Sequence, residues 1–199
     1  LSPAEIAGLV IGLLMGITLH EFSHALVADQ LGDHRPRAMG RVSLNPLRHL
    51  DPLGTALLVL VGFGWGRPVL VNPSALRGGR NGMALVAVAG PVTNVLIAIL
   101  LALVFRVLDI AGLDGTLATI LGTAVFLNLL LAILNFIPIP PLDGFNVLLA
   151  FLPARWAYTV QRYAGWGIVL LVLLLVLPGG PLRWLFSLAQ PLTRALLGT

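Results

Sequence analysis

The sequence predicts an all-α polytopic membrane protein of about four to six transmembrane helices, with a small membrane-associated β-sheet between the first and second core helices. Three observations carry this. Of 199 residues, 58% are hydrophobic and 10% are charged, whereas about 25% are charged in an ordinary soluble domain. The apolar residues gather in long runs, broken by stretches rich in Pro, Gly and Arg. No Lys is present, and the arginines sit between the runs, where they set topology. No aromatic-basic patch accompanies them, so the expected partner is the lipid bilayer and not nucleic acid. Cysteine is absent. That excludes disulfides and thiolate ligands, so a metal site would have to use His, Asp or Glu.

The first helix is expected from Pro3 to about Leu31. Ser2-Pro3-Ala4-Glu5 has the form of a helix start, and Gly32-Asp33 of a stop. Such a helix is about 42 Å long and crosses a bilayer with length to spare. No basic region precedes it, and its apolar run continues into His20, so it is not read as a cleaved leader. The chain opens on Leu1 rather than Met, so residues ahead of it are expected.

The arginine-rich stretch 34–50 follows. Within it, residues 39–46 alternate like a short strand, and residues 67–73 read as a second; both end in Asn-Pro. Together they predict the small sheet. The apolar segment 51–66 between them is too short to span and reads as re-entrant. Further spans are expected over 81–105, 116–136 and 164–177. A proline-rich extended stretch leads into a short helix over 145–152. Residues 182–197 are expected to lie in the interface, and Trp65, Trp156, Trp166 and Trp184 to anchor there. His34 and His49 read as surface loop residues. The whole is read as one membrane-embedded domain, 1–199, with a core over 6–150 and C-terminal helices over 155–199.

With the N-terminus outside, Arg35, Arg37, Arg41, Arg48, Arg67, Arg77, Arg80, Arg155 and Arg162 fall inside, and Arg106, Arg183 and Arg194 outside. That bias favours this orientation and puts the His20 and Asp143 ends on the same, cytoplasmic side. Arg without Lys, with abundant Ala, Leu and Gly, suggests a GC-rich prokaryotic source, hence its cell (inner) membrane.

The chemistry centres on Thr18-Leu19-His20-Glu21-Phe22-Ser23-His24-Ala25. Residues i and i+4 share a helix face, about 6 Å apart along the axis. That spacing suits two imidazoles on one zinc ion, with the glutamate beside them as general base. Acids are scarce, and Glu21 and Asp143 are the two expected at membrane depth, where ionisable groups are functional candidates. Two His and one carboxylate, with a fourth position open, make a catalytic zinc set. Asp143 could instead cap the following helix, and Asn94 and Asn135 could be interhelical hydrogen-bond glue.

These residues resemble the site-2 protease family of intramembrane zinc metalloproteases. His20-Glu21-Phe22-Ser23-His24 matches HExxH, Asn135 to Gly144 matches NxxPxPxLDG, and Gly90-Pro91-Val92-Thr93-Asn94 matches GPxxN, in the family's order. The resemblance covers residues 6 to about 150. It implies one zinc ion on His20, His24 and Asp143, with Glu21 as base. It also implies that Asn135 and Asn94 position substrate or stabilise an oxyanion, and that the substrate is a single-span membrane protein. No PDZ insertion or nucleotide-binding tail is evident. A zinc transporter or a non-proteolytic scaffold would use the same ligands but leave Glu21 without a task.

Overall fold

The computed structural model describes residues 1–51, 54, 66–110, 112–177 and 183–198. Its helices are α1 (Pro3–Gln30), the single turn α2 (Arg35–Ala38), α3 (Arg80–Ile110), α4 (Gly115–Asn135), α5 (Asp143–Phe151), α6 (Ala154–Arg162), α7 (Gly167–Val176) and α8 (Arg183–Leu197). Among the described residues, α1, α3 and α4 are long and apolar enough to cross a membrane. A fourth span results if α6 and residues 164–174, bent by 47°, count as one. The protein is therefore an all-α polytopic membrane protein. The segment 51–66, with Trp65, and residues 178–182 fall wholly or mostly outside the described residues.

α1 starts where its caps dictate. The Ser2 hydroxyl accepts the Glu5 amide at 3.2 Å, and the Glu5 carboxylate accepts the Ser2 amide at 2.6 Å, satisfying two end groups reciprocally. Beyond Gln30 the chain turns at Gly32, whose φ of 113° suits glycine.

α1, α3 and α4 pack on one another as the core. Small residues on α1 set its distance from α4. A Cβ at Gly8 would stand 2.7 Å from Ile120 O, and one at Gly12 would stand 2.9 Å from Ala124 Cα. Backbones approach this closely only where side chains are absent. Gly12→Val is expected to lower stability by about 1–3 kcal/mol through overpacking. Thermal unfolding in detergent measures it, and an unchanged midpoint would show that the contact yields freely.

α8, expected in the interface, packs one face on the bundle. Leu185, Ala189 and Thr193 are buried at i, i+4 and i+8, facing the bundle. Leu196 and Leu197 pack on Ala98, Ala102, Val125 and Leu129. Arg106 of α3 closes the helix end, donating to Leu196 O at 2.6 Å and Ala195 O at 2.7 Å. Trp156, Trp166 and Trp184 are exposed.

The expected sheet is not formed. Residues 41–45 turn at once, the Ser43 amide bonding Arg41 O at 2.9 Å, and among the described residues the only β pairing is an isolated antiparallel bridge between Leu50 and Gly66. The reason is that side chains take the backbone groups a ladder would need. Arg41 donates to Arg48 O, to Arg67 O at 3.2 Å and to Pro68 O at 3.4 Å. The His49 ring meets Ser43 O at 2.6 Å. The Val69 amide goes to Glu21 Oε2 at 3.2 Å and the Asn72 amide to Asp33 Oδ2 at 2.7 Å. The Asn-Pro pairs start 3-10 turns, capped by Asn45 on Leu47 and Asn72 on Ser74. His49, expected at the surface, is fully buried.

Two acids at the end of α1 hold these loops. Asp29 accepts from Arg37 at 2.7 Å and His34 at 2.9 Å. Asp33 is 1% exposed. It accepts from the Arg35 side chain at 2.8 Å and from the Asn72 amide. The Arg35 guanidinium, helped by the Asn72 and Arg35 amides, holds the Asp33 carboxyl well below the usual carboxylate range. Arg77 completes the clamp, its amide on Leu31 O at 2.8 Å and its guanidinium on Gln30 O.

Candidate metal centre

The α1 face that carries His20 and His24 turns toward α3, and both rings are buried. Their Nδ1 atoms are used first. His24 Nδ1 lies 2.7 Å from Val86 O on α3. A carbonyl only accepts, so Nδ1 carries a proton, and in the neutral ring that a metal requires Nε2 keeps its lone pair. His20 Nδ1 lies 2.6 Å from Asn94 Oδ1 and donates to it in the same way.

The GPxxN stretch of α3 makes this approach possible. A Cβ at Gly90 would stand 2.5 Å from His24 Nε2 and 2.6 Å from His20 Nε2. Pro91 has no N–H for the carbonyl one turn back, and next to that carbonyl is Val86 O, which takes His24. Asn94 lies one turn further on, against His20.

The third group arrives from the far side. The prolines of residues 138–141 end α4 and swing the chain into α5, whose first residue is Asp143. Asp143 Oδ2 lies 3.1 Å from His20 Nε2 and 3.3 Å from His24 Nε2, and the two Nε2 atoms are 3.0 Å apart. Oδ2 is buried without a hydrogen-bond donor. Three lone-pair atoms that converge with no proton between them repel unless a cation sits among them. A tetrahedral zinc ion with bonds of about 2.0–2.1 Å spaces its ligand atoms about 3.3 Å apart. The donor set and its spacing fit zinc, and among the described residues this is the one such cluster.

Comparison with known proteins agrees. The chain is 35% identical over 178 residues to a protein of Bacillus subtilis assigned as zinc metalloprotease YwhC, covering 86% of this chain and 81% of that one. That decides the family. The chain belongs to the site-2 protease family of zinc metalloproteases. It is also 32% identical over 188 residues to a Mycolicibacterium smegmatis protein assigned as zinc metalloprotease Rip2, covering 90% of this chain and 70% of that one. Zinc metalloprotease MJ0392 of Methanocaldococcus jannaschii is 28% identical over 152 residues, 76% of this chain and 36% of the relative. No family model and no solved structure matches the chain.

This zinc metalloprotease gathers its remaining groups around a cavity of about 480 Å³. His20, Glu21, His24, Asn94, Asn135 and Asp143 all line it. Glu21, next to His20 on the helix, is held by the Val69 amide alone among the described hydrogen bonds. Asn135 lines the wall at the end of α4, and its Nδ2 donates to Leu131 O at 3.0 Å; its second N–H has no hydrogen-bond partner among the described residues. Asn94 differs from the expected substrate contact. It is fully buried, and both its N–H groups go to Gly16 O at 3.3 Å and Asn128 Oδ1 at 3.0 Å. It stands behind His20 and joins three helices, the interhelical role the sequence left open.

The sequence reading missed two residues. Asn146 lines the cavity on α5, one turn after Asp143, a spacing that puts both on one face. Asn128 is buried in α4 against Asn94; its signal was the one polar residue within the apolar run 124–134.

Proposed function

We propose that the protease is an intramembrane endopeptidase, hydrolysing peptide bonds within or near the transmembrane segment of a single-span membrane protein. The observation that carries this is the cavity where His20, Glu21, His24, Asn135 and Asp143 meet, walled by helices apolar enough to cross a membrane. His20, His24 and Asp143 would hold the metal. Zinc bound there supplies Lewis acidity, polarising a peptide carbonyl and making a water molecule acidic near neutral pH. Glu21 takes the proton from that water and returns it to the leaving amine. Among the described residues the carboxylate has one amide donor, Val69, which leaves it oxygen lone pairs with which to accept. Asn135 offers its free N–H to the oxygen on which charge develops. The arginine bias puts the catalytic end on the cytoplasmic side of a prokaryotic cell membrane.

The test is cleavage of a single-span model substrate by purified protein in detergent, wild type beside Glu21→Gln, with zinc assayed in both. Glu21→Gln is expected to retain one zinc per chain and lose about 10²–10⁴-fold in cleavage rate. A variant that cleaves like wild type would remove Glu21 from the reaction. If both hold zinc and neither cleaves any of a panel of substrates, the protease reading gives way to metal handling.

A further inference from the structure

We infer that Asn128 is a positioning residue for the metal centre, acting through Asn94 to fix which ring nitrogen of His20 carries the proton. This rests on the reading of His20 as a metal ligand. Asn128 is 0% exposed, and its surroundings decide which way its amide faces. Two backbone carbonyls, Gly12 O at 3.2 Å and Ala124 O at 2.9 Å, stand on one side. Carbonyls only accept, so Nδ2 must face them and Oδ1 must face away. Oδ1 then meets Asn94 at 3.0 Å. With Gly16 O as a second acceptor at 3.3 Å, Asn94 has to present its own Nδ2 to both. The atom of Asn94 left for His20 is Oδ1, 2.6 Å from Nδ1. An acceptor there requires a proton on Nδ1. In the neutral ring His20 Nε2 then keeps its lone pair toward Asp143 and His24.

The polarity of two backbone carbonyls, one on α1 and one on α4, thus passes through two side-chain amides to one imidazole. The two histidines differ in this. His24 is oriented directly by Val86 O, which cannot turn over. His20 is oriented by a side-chain amide whose O and N ends have nearly the same shape. An inverted Asn94 would put N–H against Nδ1, and the proton would move to Nε2, where no metal could bind. Gly16 O opposes that inversion with one hydrogen bond, and Asn128 adds the second.

The experiment uses the full chain in detergent. Zinc affinity is measured by chelator competition for wild type, Asn128→Ala and the double variant Asn94→Asp with Asn128→Ala. A carboxylate at 94 accepts from Nδ1 whichever way it faces. The single variant is expected to bind zinc about tenfold more weakly. The double variant is expected to regain most of that loss, while its metal-free thermal midpoint stays as low as that of the single variant. Rescue of binding without rescue of stability separates orientation from packing. Zinc affinity unchanged in Asn128→Ala, or a double variant as weak as the single, would overturn the inference and leave the ligand reading standing. Wild type that binds no zinc would overturn both. Should Asn128→Ala fail to fold, nitrogen NMR of histidine-labelled, metal-free wild type decides. The His20 signals, assigned by their loss in His20→Gln, should show the Nδ1–H tautomer, and finding Nε2–H would refute the relay.

Discussion

Gly90→Ala is expected to abolish zinc binding and cleavage together while leaving the helices intact. The new methyl would stand 2.5 Å from His24 Nε2 and 2.6 Å from His20 Nε2, closer than a carbon can sit. The rings can escape only by turning. Turning breaks the bonds of His24 Nδ1 to Val86 O and of His20 Nδ1 to Asn94 Oδ1. Ala is the better helix former by about 0.8–1 kcal/mol, so α3 itself does not suffer. Zinc affinity should fall about 100-fold or more, the upper end of what loss of ligand orientation costs. Metal content measured beside circular dichroism checks this. Stoichiometric zinc held at wild-type affinity would show that Gly90 does not form the cradle.

Asp33→Ala is expected to have the largest effect outside the metal centre. It strips a buried acceptor from the Asn72 amide and from Arg35, which costs about 1–3 kcal/mol. The sign with pH follows from the direction of the shift. The folded carboxyl lies below its usual value because of Arg35, so its contribution is complete above the unfolded pKa, about pH 4. It is lost as the pH falls below that, toward the folded value. Wild type and Asp33→Ala should therefore differ in thermal midpoint at neutral pH and converge in acid. A difference that persisted undiminished in acid would assign the effect to packing instead of charge.

What could be read in the sequence was what is local. The start of α1 is written in Ser2 and Glu5, three residues apart, and the end of α4 in closely spaced prolines. His20, Glu21 and His24 declare themselves because one helix face carries them. The strands failed for the opposite reason. Residues 39–46 do alternate, but the groups that occupy the backbone of each stretch come from outside it: His49 on Ser43 O, Arg41 on Arg67 O and Pro68 O, Glu21 on the Val69 amide and Asp33 on the Asn72 amide. His49 was misplaced because its burial depends on the loop folding back, its ring on Ser43 O and its carbonyl on the Arg67 amide. The apolar stripe of α8 fits lipid or protein equally, and the periodicity of residues 182–197 contains nothing that chooses. Asn94 carried its motif in plain view, but its bond to His20 depends on the register of α1 against α3. Asn128 matters only because Gly12 and Gly16 let α1 come within its reach.

The division of the ligand set between α1 and α5 has a consequence for how the protease is made. Synthesis runs from the N-terminus, so His20 and His24 enter the membrane with the first helix, while Asp143 is still to be translated. Through the insertion of α1, α3 and α4 the nascent chain carries two imidazoles and the glutamate that follows the first, but no third ligand. The ligand set closes only when the proline turn after α4 has delivered α5, and Arg80, reaching from α3 to Leu149 O and Leu152 O, then secures the end of that helix. The proposed metal site is thus incomplete until the core of the protein is in place.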